Sequence, residues 1–162
     1  MSFNAYEVDK LLFTDDDFDT MDWHDNPIHA IAFGPGKYEL SFDIDYVFKW
    51  EEPLHGEQNY RFWISPATLV FEDVYDLKIE QPYPYYAGLT IANIAREEIE
   101  KARDWPADKK VWQWTLECLE SAWAFSATGY RQFIRKPPIL FAHQRFDYDE
   151  RQGYGFECPQ RS

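Results

Sequence analysis

The stretch Tyr38–Glu51, YELSFDIDYVFKWE, alternates with a period of two. One parity carries Tyr38, Leu40, Phe42, Ile44, Tyr46, Phe48 and Trp50, and the other carries Glu39, Ser41, Asp43, Asp45, Val47, Lys49 and Glu51. Successive side chains of a strand point to opposite faces, so this spacing predicts a β-strand with an apolar face on a core and a polar face in water, Val47 being the one exception. At about 3.3 Å per residue the strand would span roughly 40 Å, about twice the usual length, so it is expected to bend, twist strongly or carry a bulge.

Upstream, Trp23-His24-Asp25-Asn26-Pro27 leads into the apolar run Ile28–Phe33, and Gly34-Pro35-Gly36 reads as a turn, which predicts an antiparallel hairpin with the long strand. Downstream, a polar loop over 51–59 precedes strands at Tyr60–Ile64 and Thr68–Phe71, with Pro66 between them marking an edge or a bulge. A turn at Glu72–Asp76 leads to a short strand from Leu77, and QPYPYYAG (81–88) reads as a tyrosine-rich loop that lids a core. Val111–Leu119 and Ala122–Thr128 are rich in Trp, Val and Thr and form a second hairpin, while Tyr130–Arg135 and Ile139–Phe141 extend the sheet.

One region fits two templates. Leu89, Ile91 and Asn93 alternate, whereas Ile91, Ala95, Ile99 and Ala102 share a helical face. A strand over Leu89–Ile94 followed by a short helix ending near Asp104, before Trp105-Pro106, is expected. The fold class that results is mainly β: an antiparallel sandwich or strongly bent open barrel of about 8–10 strands with at most one or two short helices. An α+β alternative places helices at 91–103 and 111–123.

The 162 residues suit a single domain, and no internal repeat or linker divides them. Residues 1–22 combine a short apolar segment with Asp15, Asp16, Asp17, Asp19 and Asp22 and are expected to form a loosely ordered acidic lead-in, because close carboxylates repel one another. The tail 147–162, rich in charge and Gly, reads as exposed. Aromatic residues make up 19% of the chain, which excludes a mainly disordered polymer.

Lys plus Arg number 16 against 29 Asp plus Glu, a formal net charge of −13. A field of that sign repels phosphate backbones and anionic lipid, so neither nucleic acid nor membrane is an expected partner; a basic protein is. Two cysteines, Cys118 and Cys158, are too few for a disulfide framework, and no apolar stretch reaches the length of a membrane span, so a cytoplasmic protein is expected.

No GxSxG elbow, phosphate-binding Gly loop or HExxH motif is present, and no cofactor is expected. The acidic run lacks the central Gly and closing Glu of an EF-hand, and His24 and His29 with Asp22 and Asp25 match no metal-ligand spacing, so no metal site is assigned. Asp15, Asp16, Asp17, Asp19, Asp22 and Asp25 are the candidate contacts for a basic partner. Trp23, His24, Asp43, Asp45 and His143 are the candidates for the alternative reading, an enzyme or small-ligand binder with an aromatic-lined pocket. Asp43 and Asp45 lie on one strand face, close enough to perturb each other's titration, although such a pair is more often the wet side of a sheet. Arg131, Arg135 and Lys136 form a local basic patch that balances carboxylates across the sheet.

WHDNPIHAIAF at 23–33, DIDYVFKW at 43–50, FWISPATLVFEDVYDLKI at 62–79 and SATGYRQFIRKPP at 126–138 together resemble a group of small uncharacterised acidic bacterial proteins with a Trp-His-Asp signature, some similar to presumed toxin-immunity proteins. The resemblance covers most of the chain and brings no catalytic residue with it. What it implies is a non-catalytic module that binds and neutralises a partner.

Overall fold

The computed structural model describes residues 5–34, 38–82, 89–100 and 108–160. Among the described residues there are ten strands: β1 (Leu12–Thr14), β2 (Pro27–Phe33), β3 (Leu40–Glu51), β4 (Arg61–Glu72), β5 (Tyr75–Glu80), β6 (Leu89–Ile99), β7 (Val111–Cys118), β8 (Ala122–Ala127), β9 (Gly129–Ile134) and β10 (Ile139–Phe141). They make one open antiparallel sheet in the order β1-β9-β4-β3-β2-β6-β7-β8-β5, with β10 added to β4. The one helical segment among the described residues is a 3-10 helix, Asp15–Thr20, and none is long and apolar enough to cross a membrane.

The sheet curls so that its first half faces its second. Phe42 on β3 meets Trp123 on β8 at 5.5 Å between ring centroids, and Phe71 on β4 meets Phe125 at 4.7 Å and Trp114 at 5.0 Å. These rings meet edge to face, the arrangement their quadrupoles favour. Leu40, Ile44, Leu69, Leu116 and Tyr130 complete a continuous core.

The apolar parity of β3 is buried from Leu40 to Tyr46, but Tyr38 is 81% and Trp50 48% exposed. A bulge explains Trp50: the pairing with β4 slips between Val47 and Lys49, so that Val47 lies opposite Ile64 and Trp50 opposite Phe62. Phe62 and Ile64 are two apart and share a face, which puts Trp50 on the face opposite Phe42. The polar parity does not meet water. Ser41 is buried and Asp43 and Asp45 are both 0% exposed, because residues 146–155 cross that face. The tail is therefore exposed only in part: Arg151 within it is 3% exposed, and Phe146 just ahead of it is also buried.

The lead-in is likewise attached. β1 pairs with β9, Leu12 opposite Phe133, and Phe18 of the 3-10 helix stands against Trp23, Trp114 and Tyr130. The packing of the half-buried Phe18 against the core, together with the pairing of β1, thus outweighs the mutual repulsion of the aspartates.

β6 runs on to Ile99 where a helix was expected from residue 95. Ala95 to Ile99 pair in register with Thr115 to Val111, and a complete ladder to a Trp-rich neighbour outweighs the weak helical preference of one Ala-Arg-Glu-Glu turn. The α+β alternative fails for the same reason, since 111–118 is strand. The expected end of that helix at 101–107, Pro35 and Gly36 of the first turn, and residues 83–88 of the tyrosine-rich loop lie outside the described residues.

Pro66 sits within β4, not at a sheet edge or bulge. β10 pairs with β4 at 62–64 and β9 at 67–72, leaving a gap on that side at 65–66. The Pro66 carbonyl accepts from Arg135 N across this gap, so the missing N–H points to the same gap and costs no ladder bond.

Phe71→Ala should lose about 3–5 kcal/mol of stability in urea unfolding, the range for removing a ring from a packed core. Phe42→Asp should give no cooperative transition at all.

Candidate functional site

The two aspartates of β3 are the centre of a buried ionic layer. Arg151 donates from Nη1 to Asp43 Oδ2 at 2.6 Å and from Nη2 to Asp43 Oδ1 at 2.7 Å, and its Nη2 reaches Asp45 Oδ1 at 3.1 Å. Arg135 of the chain just beyond β9 donates from Nη2 to Asp43 Oδ1 at 2.7 Å. Backbone N–H groups complete the set, Gly155 to Asp43 at 2.8 Å and Phe146 to Asp45 at 2.8 Å. His29 Nε2 lies 2.6 Å from Asp45 Oδ2.

Burial acts to raise the Asp43 carboxyl, but hydrogen bonds from Arg151 and Arg135 outweigh it and hold Asp43 below the usual carboxylate range. The Arg151 guanidinium, whose proton burial would loosen, is held by Asp43 and Asp45 and moves up instead. Two carboxylates, fully buried and with every oxygen bonded, meet two guanidiniums. Such a layer fastens a segment to a sheet; it has no room for a substrate and no lone pair left for proton transfer. A second clamp stands beside it: Arg131 pairs with Glu72 at 3.1 Å and Glu39 at 3.3 Å and donates to the Pro159 carbonyl at 3.1 Å. The sequence-based pairing of the basic patch with carboxylates across the sheet is thus found for both arginines.

The six acidic partner candidates separate. Asp17 closes the start of its own 3-10 helix, accepting from Thr14 N at 2.9 Å and pairing with Lys10. Burial would raise its carboxyl, yet the Lys10 and Thr14 hydrogen bonds bring it below the ordinary range. Asp22 accepts from His24 N at 3.0 Å, a turn-capping bond, and Asp25, at φ 64°, pairs with His24 Nδ1 at 3.1 Å. Asp19 is exposed on the helix.

Asp15 and Asp16 stand on a cleft of about 590 Å³, where Glu72, Asp73 and Asp108 join them. Five carboxylates there face three cations, Arg96, Lys109 and Lys110. Arg96 is fixed between two rings, 4.0 Å from the Trp112 centroid and 4.1 Å from Phe18, while its Nη1 pairs with Asp15 at 3.1 Å. Lys109 is 3.5 Å from Asp73, which also accepts from Thr128 at 2.6 Å. Asp16 and Asp108 are exposed at the rim.

The pocket candidates do not converge. Trp23 is in the core, its Nε1 donating to Gln132 Oε1 at 2.7 Å; His24 is on the surface; Asp43 and Asp45 are sealed in the ionic layer. His143 alone borders an open groove, of about 670 Å³, with Trp50, Tyr60 and Phe62. No group of three or more metal-ligating side chains occurs among the described residues. No family model matches the chain, and a search of curated proteins finds no match.

Glu72, Asp73 and Asp108 were not singled out from sequence, because strand pairing alone brings them beside Asp15. Arg151 was missed as well, being 108 residues from Asp43.

Arg151→Ala should cost about 3–5 kcal/mol, the penalty for leaving a buried charge without its partner. Asp43 is depressed in the folded state, so its contribution is complete above the unfolded carboxylate pKa of about 3.9 and is lost as pH falls below that, through the lower folded value. Urea unfolding from pH 6 downward should therefore show a shallower loss for Asp43→Asn than for wild type.

Proposed function

We propose that this chain is a non-catalytic protein-binding module of the inhibitor or immunity type, acting in the cytoplasm on a basic partner. The observation that carries the reading is the cleft at Asp15 and Asp16, where five carboxylates stand against the three lining cations and Arg131, the partner of Glu72, and where the rim carboxylates of Asp16 and Asp108 face solvent. The acid pair best placed for catalysis, Asp43 and Asp45, is neutralised by arginines and closed to solvent, so the acidity that a second molecule meets is that of the surface.

A formal charge of −13 supports the same choice. It accelerates encounter with a positive surface and disfavours phosphate-rich partners. Arg96, held between Trp112 and Phe18 and paired with Asp15, is fixed in place, so a basic side chain entering the cleft meets the rim carboxylates of Asp16 and Asp108 with little reordering of the wall behind them.

Immobilised wild-type protein should retain a basic protein from lysate of its source cell at low ionic strength and release it as salt rises. The double variant Asp16→Lys/Asp108→Lys, unchanged in thermal unfolding, should fail to retain it. A partner held equally by wild type and variant, or insensitive to salt, would refute the assignment.

A further inference from the structure

Beyond its bulge, β3 carries Trp50 out of the core and sets it against Tyr60 and Phe62, with ring centroids 5.9 and 5.3 Å away. Trp50 is 48% and Tyr60 44% exposed, whereas Trp23, Trp63, Trp114 and Trp123 are all buried. The rings form one wall of the groove of about 670 Å³, and residues 142–144 form another. Its polar lining includes the amides of Gln58 and Asn59 and the imidazole of His143, none of which makes a hydrogen bond among the described residues. Glu57 and Arg61, the charged pair of the groove, are bonded to each other.

We infer that this groove is a binding site for a neutral oligosaccharide. A sugar ring offers an apolar C–H face, which an exposed indole and phenol can cover, and a rim of hydroxyls that both donate and accept. Side-chain amides also both donate and accept, and an imidazole ring adds a further polar nitrogen on each side, so the unengaged groups of the groove match that rim. Charge narrows the choice further. An anionic ligand is repelled by a chain of charge −13, and a cationic one would have to displace Arg61 from Glu57. A proline-rich peptide could cover the rings, but its prolines have no N–H to donate, which leaves the acceptor atoms of Gln58 and Asn59 unmet. The volume lies within the range of small-ligand sites, and the open form of the groove suits a chain of sugar units. None of the residues involved belongs to the acidic cleft, so this site is independent of the basic-partner reading.

The full chain is titrated with maltohexaose, cellohexaose and N-acetylchitohexaose by isothermal calorimetry, with a polyproline peptide as the competing class. At least one hexasaccharide should bind saturably and the peptide should not. Trp50→Ala should abolish that binding, and Asn59→Ala should weaken it roughly two- to tenfold, the value of one neutral hydrogen bond, both with native thermal unfolding. The assignment is overturned if no hexasaccharide saturates, if the peptide binds instead, or if binding persists unchanged in both variants.

Discussion

The double contact of Arg151 with Asp43 and Asp45 is the constraint on which the rest of this structure depends. A central strand with carboxylates on one face and phenyl rings on the other can be buried on both sides only if those charges are met. Arg151 and Arg135 meet them, the Gly155 N–H shares Asp43 Oδ2 with Arg151, and the Phe146 N–H takes Asp45 Oδ2, which no guanidinium reaches. The result is a sheet with two different interiors. One is aromatic and lies between the halves of the curled sheet. The other is ionic and lies under the segment that follows β10.

The bulge in β3 links these interiors to the surface. Before it, even-numbered residues enter the aromatic core; after it, Trp50 comes out on the opposite face, opposite Phe62. A single inserted residue thus converts a strand twice the usual length into a core element at one end and an exposed aromatic wall at the other. The acidic cleft arises differently, from the 3-10 helix and the turn after β4 lying near the start of β7.

Much of the scaffold was legible in the chain. Alternation in Tyr38–Glu51, the flanking apolar run and the Trp-rich hairpin each lead to strands that exist, because period two is a local property. The extent of β6 was not, since Ala95–Ile99 is decided by its pairing with Val111–Thr115 and not by its own preference. The burial of Asp43 and Asp45 was hidden for the same kind of reason: alternation tells which residues share a face, but not that residues over a hundred positions later will cover it. Likewise, Asp15 and Asp108 gave no joint signal, although Asp15 as a candidate contact did lead to the cleft.

The covering segment also has a place in time. Synthesis proceeds from the N-terminus, so Arg151 leaves the ribosome after all ten strands have been made. Until then the polar face of β3 lacks the guanidinium that bridges Asp43 and Asp45. His29 and Arg135 come earlier in the chain, so Asp45 and Asp43 each have one partner before Arg151 emerges, and the ionic layer is completed only by the last part of the chain.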